Sequence, residues 1–375
     1  MPALHALDLP AGPAFVDALR RAWDEGAAVA PLDPRLAPPA RAAVLAALAP
    51  TVVVGPDGTR HARAEGRPVE EGDALVVATS GTTGTPRGVV LTHAALAAAT
   101  TAVHRHLAVD PAADRWLACL PLAHVGGLGV VVRALLGGVP LTVLPGFDAA
   151  AVEAEAVRGG ATLVSLVATA LARVDASRFR VVVLGGAAPP ASVPPNTVVT
   201  YGMTETAGGV VYDGRPLPGV EVRVDAGGEI HVRGPMLLRA YRDGHNPKDG
   251  DGWLPTGDLG ELDADGRLVV HGRRGDLVVT GGENVWPEAV EEALRDVPGV
   301  AEVAVAGRPD PEWGQRVVAF VVPATPSDPP TLDDVRAAVK ARLAGYAAPR
   351  ELVLVESLPR TSLGKVRRRA LVEER

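Results

Sequence analysis

Cysteine is almost absent from the chain: Cys119 is the only one in 375 residues. No intrachain disulfide can form, and a reducing compartment such as the cytoplasm fits. Aromatic residues are scarce too, at 3% against 47% hydrophobic residues in all, so a core must be built mostly from Ala, Val and Leu. Positive charge is not in excess. Lys and Arg number 37 against 44 Asp and Glu, a net −7, which argues against a protein built to grip nucleic acid. Long apolar runs are missing as well. The longest uncharged one, residues 116–132, contains Pro121 and His124 and is closed by Arg133, so it reads as buried core rather than a membrane span. The opening MPALHALDLP has neither a basic n-region nor an apolar h-region, and no signal peptide is expected.

What is present is an alternation. Short Val-rich runs (ALVVAT, LTVL, ATLVSLV, FRVVVLGG, NTVVTYG) are separated by stretches of helical spacing, such as Phe15, Val16, Leu19, Ala22 and Trp23. Thr92 is placed to cap a helix opening at His93. This pattern predicts buried, largely parallel sheets in an α/β fold. Beyond about residue 210, VEVRVDAGGEIHVRG and GELDADGRLVVHGR turn on Gly-Gly and Asp-Gly and read as antiparallel hairpins, in a small barrel. After HGRRGD the texture changes again. A helix is expected from Pro287, strands near 300–306 and 316–322, a helix capped at TLDD, and a strand at ELVLV. A length of 375 residues suits two or three domains, and the boundary is expected at Arg274/Gly275, giving domains 1–274 and 275–375.

One loop stands out. ATSGTTGTPRGVV, residues 78–90, sets Thr79, Ser80, Gly81, Thr82, Thr83, Gly84, Thr85 and Arg87 between two apolar runs. Glycines permit turns that point successive backbone N–H groups inward; the hydroxyls add donors, and Arg87 adds a permanent charge. An anion cradle and an ordinary Gly/Thr-rich surface loop both fit this stretch alone. It is not a Walker loop, because no Gly-Lys-Ser/Thr follows at the required spacing.

The context is more specific. TSGTTGTPRGV, YGMTET (201–206), GWLPTGDLGELDADGRLVVHGR, GRRGDLVVTGGENVWPEAVEE and PRTSLGKVRRR occur in one order over residues 79–369. Together they resemble the motifs of the adenylate-forming acyl- and aryl-CoA synthetases. The resemblance implies a large N-terminal domain of stacked α/β sheets with a small β-barrel, then a small mobile α+β domain. It also implies a two-step reaction, in which a carboxylate and ATP give an acyl-adenylate and a thiol displaces AMP. ATP, Mg²⁺ and CoA are the implied cosubstrates and ion.

Site residues follow from the same resemblance. Residues 79–85 and Arg87 would hold the phosphates, and Thr204 the α-phosphate. Glu205 would bind the metal. Gly185, Gly186, Ala187, Tyr201, Gly202 and Met203 would surround adenine, with Asp258 and Arg273 at the ribose. Lys365 would bridge the attacking carboxylate and the α-phosphate, stabilising charge that concentrates in the transition state. Gly275 would be the hinge, and Gly281 and Gly282 would face the pantetheine path. The arginines that follow, 367–369, read as a solvated tail.

CLPLAHVGGLGVVVRALLGG (119–138) resembles the segment that gates the acyl pocket, with His124 at its mouth and Gly127 and Gly208 beside the acyl group. Arg133 inside VVVRALL cannot stay unpaired in a core. Either an internal carboxylate or an anionic substrate neutralises it. The HVGGL…R arrangement and GGENVWP are similar to the o-succinylbenzoate-activating members of the family, which serve menaquinone synthesis. Arg133 would then meet the second carboxylate of that small acid. The segment before the phosphate loop is shorter than in most members, which suits a compact pocket. Rival readings are a ligase for another small acid, an enzyme loading a carrier protein, and a nucleotide-binding regulatory module. A monomer or a homodimer is expected.

Overall fold

A computed structural model describes residues 1–80, 86–190, 192–360 and 366–373, with the side chains of Ser80 and Glu373 also outside the description. The chain forms two compact units. One comprises Met1–Val222 with Val232–Leu254, the other Arg223–His231 with Pro255–Arg375.

The first unit opens with β1 (Leu4–Leu7), α1 (Pro13–Asp24), β2 (Ala28–Pro31), α2 (Pro38–Leu48), β3 (Val52–Val54) and β4 (Arg60–Ala62). It continues with β5 (Asp73–Ser80), β6 (Pro86–Thr92), α3 (His93–His106), β7 (Trp116–Ala118), α4 (Val125–Gly137), β8 (Leu141–Val143) and α5 (Ala149–Val157). Then come β9 (Leu163–Leu166), α6 (Ala168–Leu171), β10 (Val181–Leu184), β11 (Thr197–Met203), β12 (Gly208–Tyr212) and β13 (Arg215–Pro216). The division between units passes through β14 (Glu221–Val224) and β15 (Glu229–Arg233), and β16 (Ala240–Tyr241) returns to the first.

The apolar periodicity of α1 buries Phe15, Val16, Leu19 and Ala22, and its Pro13 occupies the first turn, where a missing N–H costs nothing. Thr92 caps α3 by accepting the Ala95 N–H at 3.1 Å, as the sequence predicts. Among the described residues the strands form two seven-stranded sheets, ordered β16-β6-β5-β2-β1-β3-β4 and β13-β12-β11-β10-β9-β7-β8. Their central pairs are parallel: β1 with β2 and β3, β2 with β5, and β9 with β7 and β10. Their cores are aliphatic, with Leu4, Ala30, Leu48 and Val76 in one and Val164, Leu166, Val182 and Leu184 in the other. Trp116, Tyr212 and Phe15 are the largest side chains fully buried in this unit. Cys119 is buried as well, and burial pushes its thiol pKa up to about 12.

The second unit holds β17 (Leu254–Leu262), β18 (Leu268–Arg273), β19 (Val278–Thr280), β20 (Glu283–Val285) and α7 (Pro287–Leu294). They are followed by β21 (Val300–Asp310), β22 (Gly314–Pro323), α8 (Leu332–Arg342), β23 (Glu351–Leu354) and α9 (Arg368–Glu373). The strands β14-β15-β17-β18 lie in that open order in a four-stranded sheet, and β20-β19-β22-β21 form another, with β23 parallel to β22. Thr331 and Asp334 make the capping box expected at TLDD. The His271 and Trp286 rings meet at 5.6 Å, so the β17–β18 hairpin packs with the C-terminal elements.

Candidate functional site

The Gly/Thr loop joins two antiparallel strands. Ala78 pairs with Gly88, Thr79 with Arg87 and Ser80 with Pro86, so the loop closes the β5–β6 hairpin. Gly81, Thr82, Thr83, Gly84 and Thr85 lie outside the described residues. Gly88 is sterically required: a Cβ there would come within 2.7 Å of Leu48 Cδ2 and 2.9 Å of Val76 Cγ1. The Arg87 guanidinium lies 3.7 Å over the Tyr241 ring and pairs with Asp243 at 3.0 Å. Tyr241 is held there because β16 pairs with β6, setting Tyr241 opposite Val89.

YGMTET is a tight reversal. Thr206 is buried and its hydroxyl locks the turn, accepting the Met203 N–H at 2.9 Å and reaching the Gly208 carbonyl at 2.6 Å. A Cβ on Gly202 would stand 2.0 Å from the Gly208 oxygen, so only glycine fits. Thr204 and Glu205 sit in this turn, directly after β11. The Tyr241 hydroxyl donates to Glu205 Oε1 at 2.9 Å, and the Leu238 N–H donates to the Glu205 carbonyl at 2.7 Å. The other carboxylate oxygen, Oε2, meets no hydrogen-bond donor among the described residues. A hard oxygen held from one side and open on the other fits a cation that keeps phosphate and water as its remaining ligands.

Gly185, Gly186 and Ala187 leave the C-terminal end of β10, which runs parallel to β11, while Tyr201 lies near the C-terminal end of β11. Ligands of open α/β sheets bind at such strand ends. The structure thus brings Gly185–Ala187, Tyr201–Glu205 and Arg87 into one unit through adjoining strands and hydrogen bonds.

His124 precedes α4, with Nε2 3.9 Å from Asp33 Oδ2. Asp33 is buried and gripped by Arg35 at 2.8 and 2.7 Å; these bonds hold its carboxyl below the ordinary range. Gly127 lets the chain fold back: a Cβ there would meet the Leu120 oxygen at 2.4 Å. Two turns on, Arg133 is 7% exposed. Its Nη2 reaches Ser165 Oγ at 3.3 Å, its guanidinium lies 5.0 Å from the Trp116 ring centroid, and its Nε has no partner. Among the described residues no carboxylate pairs with it. Burial lowers its pKa, and Tyr212, itself pushed up by burial, is the charge neighbour. Leu75, Leu91, Leu96, Val125 and Leu128 line a small apolar cavity of about 10 Å³, room for a single water, and Arg133 forms part of its wall. Gly208 borders the guanidinium, 4.0 Å from Nη1 to the place of a Cβ. Trp116 Nε1 donates to His104 Nε2 at 3.2 Å, and burial first, then the Arg133 charge, lowers the His104 pKa to about 4.

In the second unit Asp258 is buried opposite Arg273 and pairs with it at 2.7 Å. Thr256 Oγ1 accepts the Asp258 N–H at 3.1 Å. Glu229 takes the Gly257 N–H at 3.1 Å and Arg274 at 3.0 Å. Gly281 and Gly282 form the two-residue turn of the β19–β20 hairpin, both with positive φ, the pattern of a type I′ turn. Gly275 has no positive φ and ample room for a Cβ, so this conformation does not itself demand glycine.

Lys365 lies outside the described residues. The arginine run after it is not a solvated tail throughout. Arg368 opens α9 and is only 15% exposed; it pairs with Asp276 at 3.2 Å, Glu288 at 3.0 Å and Glu291 at 2.9 Å. The expectation fails because three carboxylates, from the turn at Arg274–Asp276 and from α7, converge on one cation. Burial raises the Glu288 pKa, and Arg368 opposes that rise.

Sequence reasoning missed Tyr241, Asp33, Glu229 and the pairing of Arg368. Asp33 is gripped by the nearby Arg35, but its approach to His124 and the partners of the other three lie far off along the chain, and only the backbone pairing of β16 with β6 brings Tyr241 to Glu205.

Residues 64–242 match the AMP-binding enzyme family, and residues 289–365 match the AMP-binding enzyme C-terminal domain. A probable 2-succinylbenzoate–CoA ligase of Mycobacterium tuberculosis is 42% identical, over 89% of this chain and 94% of its own length. A 2-succinylbenzoate–CoA ligase of Listeria monocytogenes is 35% identical, over 80% of this chain and 70% of its own. The o-succinylbenzoate CoA synthetase of Bacillus subtilis, solved with its acyl-adenylate intermediate, superposes with a TM-score of 0.88 at 27% identity. That match covers 100% of this chain and 88% of the other. The same Bacillus enzyme has been solved with ATP and magnesium, and there the TM-score is 0.86 at 27% identity, covering 98% and 89%. Among the described residues no helix is long and apolar enough to cross a membrane.

Proposed function

Because the chain belongs to the AMP-binding enzyme family, we propose that it is an AMP-forming acid–thiol ligase acting on o-succinylbenzoate. In the first step the acid and ATP give an acyl-adenylate and pyrophosphate. In the second, CoA displaces AMP to give o-succinylbenzoyl-CoA. Menaquinone synthesis in the cytoplasm is the setting this reading implies.

The residues divide the work. The hydroxyls and amides of residues 79–85 cradle phosphate, and Arg87 supplies fixed positive charge beside them. Glu205 holds the magnesium ion, which screens the approach of one anion to another. Gly185–Ala187 and Tyr201–Met203 frame adenine. Asp258 accepts from the ribose hydroxyls with Arg273 beside it. Lys365 brings its ammonium to the reacting oxygens, and rotation about Gly275 removes it before CoA enters past Gly281 and Gly282. Domains 1–274 and 275–375 are the bodies that this rotation separates.

One observation carries the choice of acid. Arg133 is a buried cation in the wall of a small apolar cavity, and no carboxylate of the described chain neutralises it. An acid with a second carboxylate completes the site, and a monoacid leaves the charge unpaired. The test is a panel of acids assayed by pyrophosphate release, with and without CoA, on the wild type and Arg133→Ala. The variant should raise KM for o-succinylbenzoate by about a hundredfold and leave benzoate turnover, however slow, unaffected. An unchanged KM for the diacid rejects the assignment of Arg133. Failure of the diacid to release pyrophosphate rejects the substrate.

A further inference from the structure

Tyr241 belongs to none of the motifs that point to the reaction, yet it touches both the residue assigned to the metal and one assigned to the phosphates. Its hydroxyl donates to Glu205 Oε1 at 2.9 Å, and its ring carries the Arg87 guanidinium at 3.7 Å. The backbone around it is fixed independently. Tyr241 pairs with Val89 on the strand that leaves the phosphate loop, and Leu238, three residues earlier, donates its N–H to the Glu205 carbonyl at 2.7 Å. One short segment therefore holds the main chain and the side chain of Glu205 and stacks on Arg87.

We propose that Tyr241 is the positioning residue for Glu205, its hydroxyl fixing one carboxylate oxygen so that the other is turned out for the magnesium·nucleotide complex. This rests on the reading of Glu205 given above. A free glutamate side chain must give up several rotamers when it binds a cation. The phenol removes that loss in advance, because a carboxylate with Oε1 already bonded has Oε2 committed to one direction. Arg87 on the ring face strengthens the arrangement twice. It polarises the hydroxyl that donates to Glu205, and it ties the turn after β11 to the exit of the phosphate loop. The pair thus sets the spacing between a fixed positive charge and a metal-binding carboxylate. The phenol acts through Glu205, whose carboxylate it holds.

The experiment is calorimetric binding of ATP to the whole protein, once with excess Mg²⁺ and once in EDTA. For the wild type Mg²⁺ should tighten binding; no such gain overturns the role of Glu205, and the proposal with it. In Tyr241→Phe the affinity in EDTA should stay within about twofold of wild type, and the gain from Mg²⁺ should fall about tenfold, as for other groups that orient a metal ligand. In a Glu205→Gln background Tyr241→Phe should cost nothing further. Equal losses with and without metal, no loss at all, or an additional loss in the Glu205→Gln background would each overturn Tyr241 as a positioning residue while leaving the ligase reading in place.

Discussion

Two arginines sit deep in the two units under opposite circumstances. Arg133, on α4, is 7% exposed and meets a serine hydroxyl, a tryptophan face and no carboxylate among the described residues. Arg368, at the start of α9, is 15% exposed and meets Asp276, Glu288 and Glu291 together. Burial alone does not separate a structural cation from a binding one. The count of partners does. A buried charge that the fold has already surrounded with opposite charge holds elements together, whereas one left without an opposite charge is a cost that an anionic ligand would offset.

That contrast can be broken most directly at Arg368. Arg368→Ala leaves three acids facing one another, and should cost roughly 3–5 kcal/mol. Denaturant unfolding reads it; a loss below about 1 kcal/mol would mean the acids relax into solvent and the cluster is not structural. At Arg133 the sign reverses. Arg133→Met should raise the stability of the ligand-free protein by about 1–3 kcal/mol, since it replaces an uncompensated buried charge with a side chain of similar reach. A destabilised Arg133→Met would show that the fold depends on the cation.

The smallest effect is at His104, which feels Arg133 directly. Its folded pKa of about 4 lies below its ordinary value of 6.5. Between these values the unfolded chain binds more protons, so the stability His104 confers is complete above pH 6.5 and is lost as pH falls toward 4. Burial is the larger cause and persists in Arg133→Met, so in that variant the His104 titration should move up only part of the way. Proton NMR of the imidazole follows this, and an unmoved titration would place the guanidinium charge too far off to matter.

How much of this was legible in the sequence depends on chain distance. The Gly281-Gly282 turn and the Thr331–Asp334 box are local, and residue identity alone points to them. Arg133 could be singled out because an ionised group inside an apolar run needs an explanation wherever it lands. The Tyr241–Glu205 bond spans 36 residues, and Arg368 reaches Glu291 across 77. Such pairs depend on strand order and helix docking, which no local pattern encodes. The expected boundary at 274/275 followed a change in texture, whereas contacts group the β17–β18 hairpin with the later elements, because His271 and Trp286 pack together. The solvated-tail expectation fails at Arg368 because a basic cluster near the end of a chain looks solvated until its acidic neighbours are seen.

Cys119 has a practical consequence. The proposed reaction consumes a sulfhydryl, and the protein owns a single one, buried directly after β7 with its pKa pushed up to about 12. At neutral pH almost none of it is thiolate, so it neither attacks a thioester nor exchanges with oxidised CoA. CoA consumption can then be followed with a thiol-reactive dye in the intact enzyme, and any colour from the protein itself becomes a sensitive alarm that the first unit has begun to open.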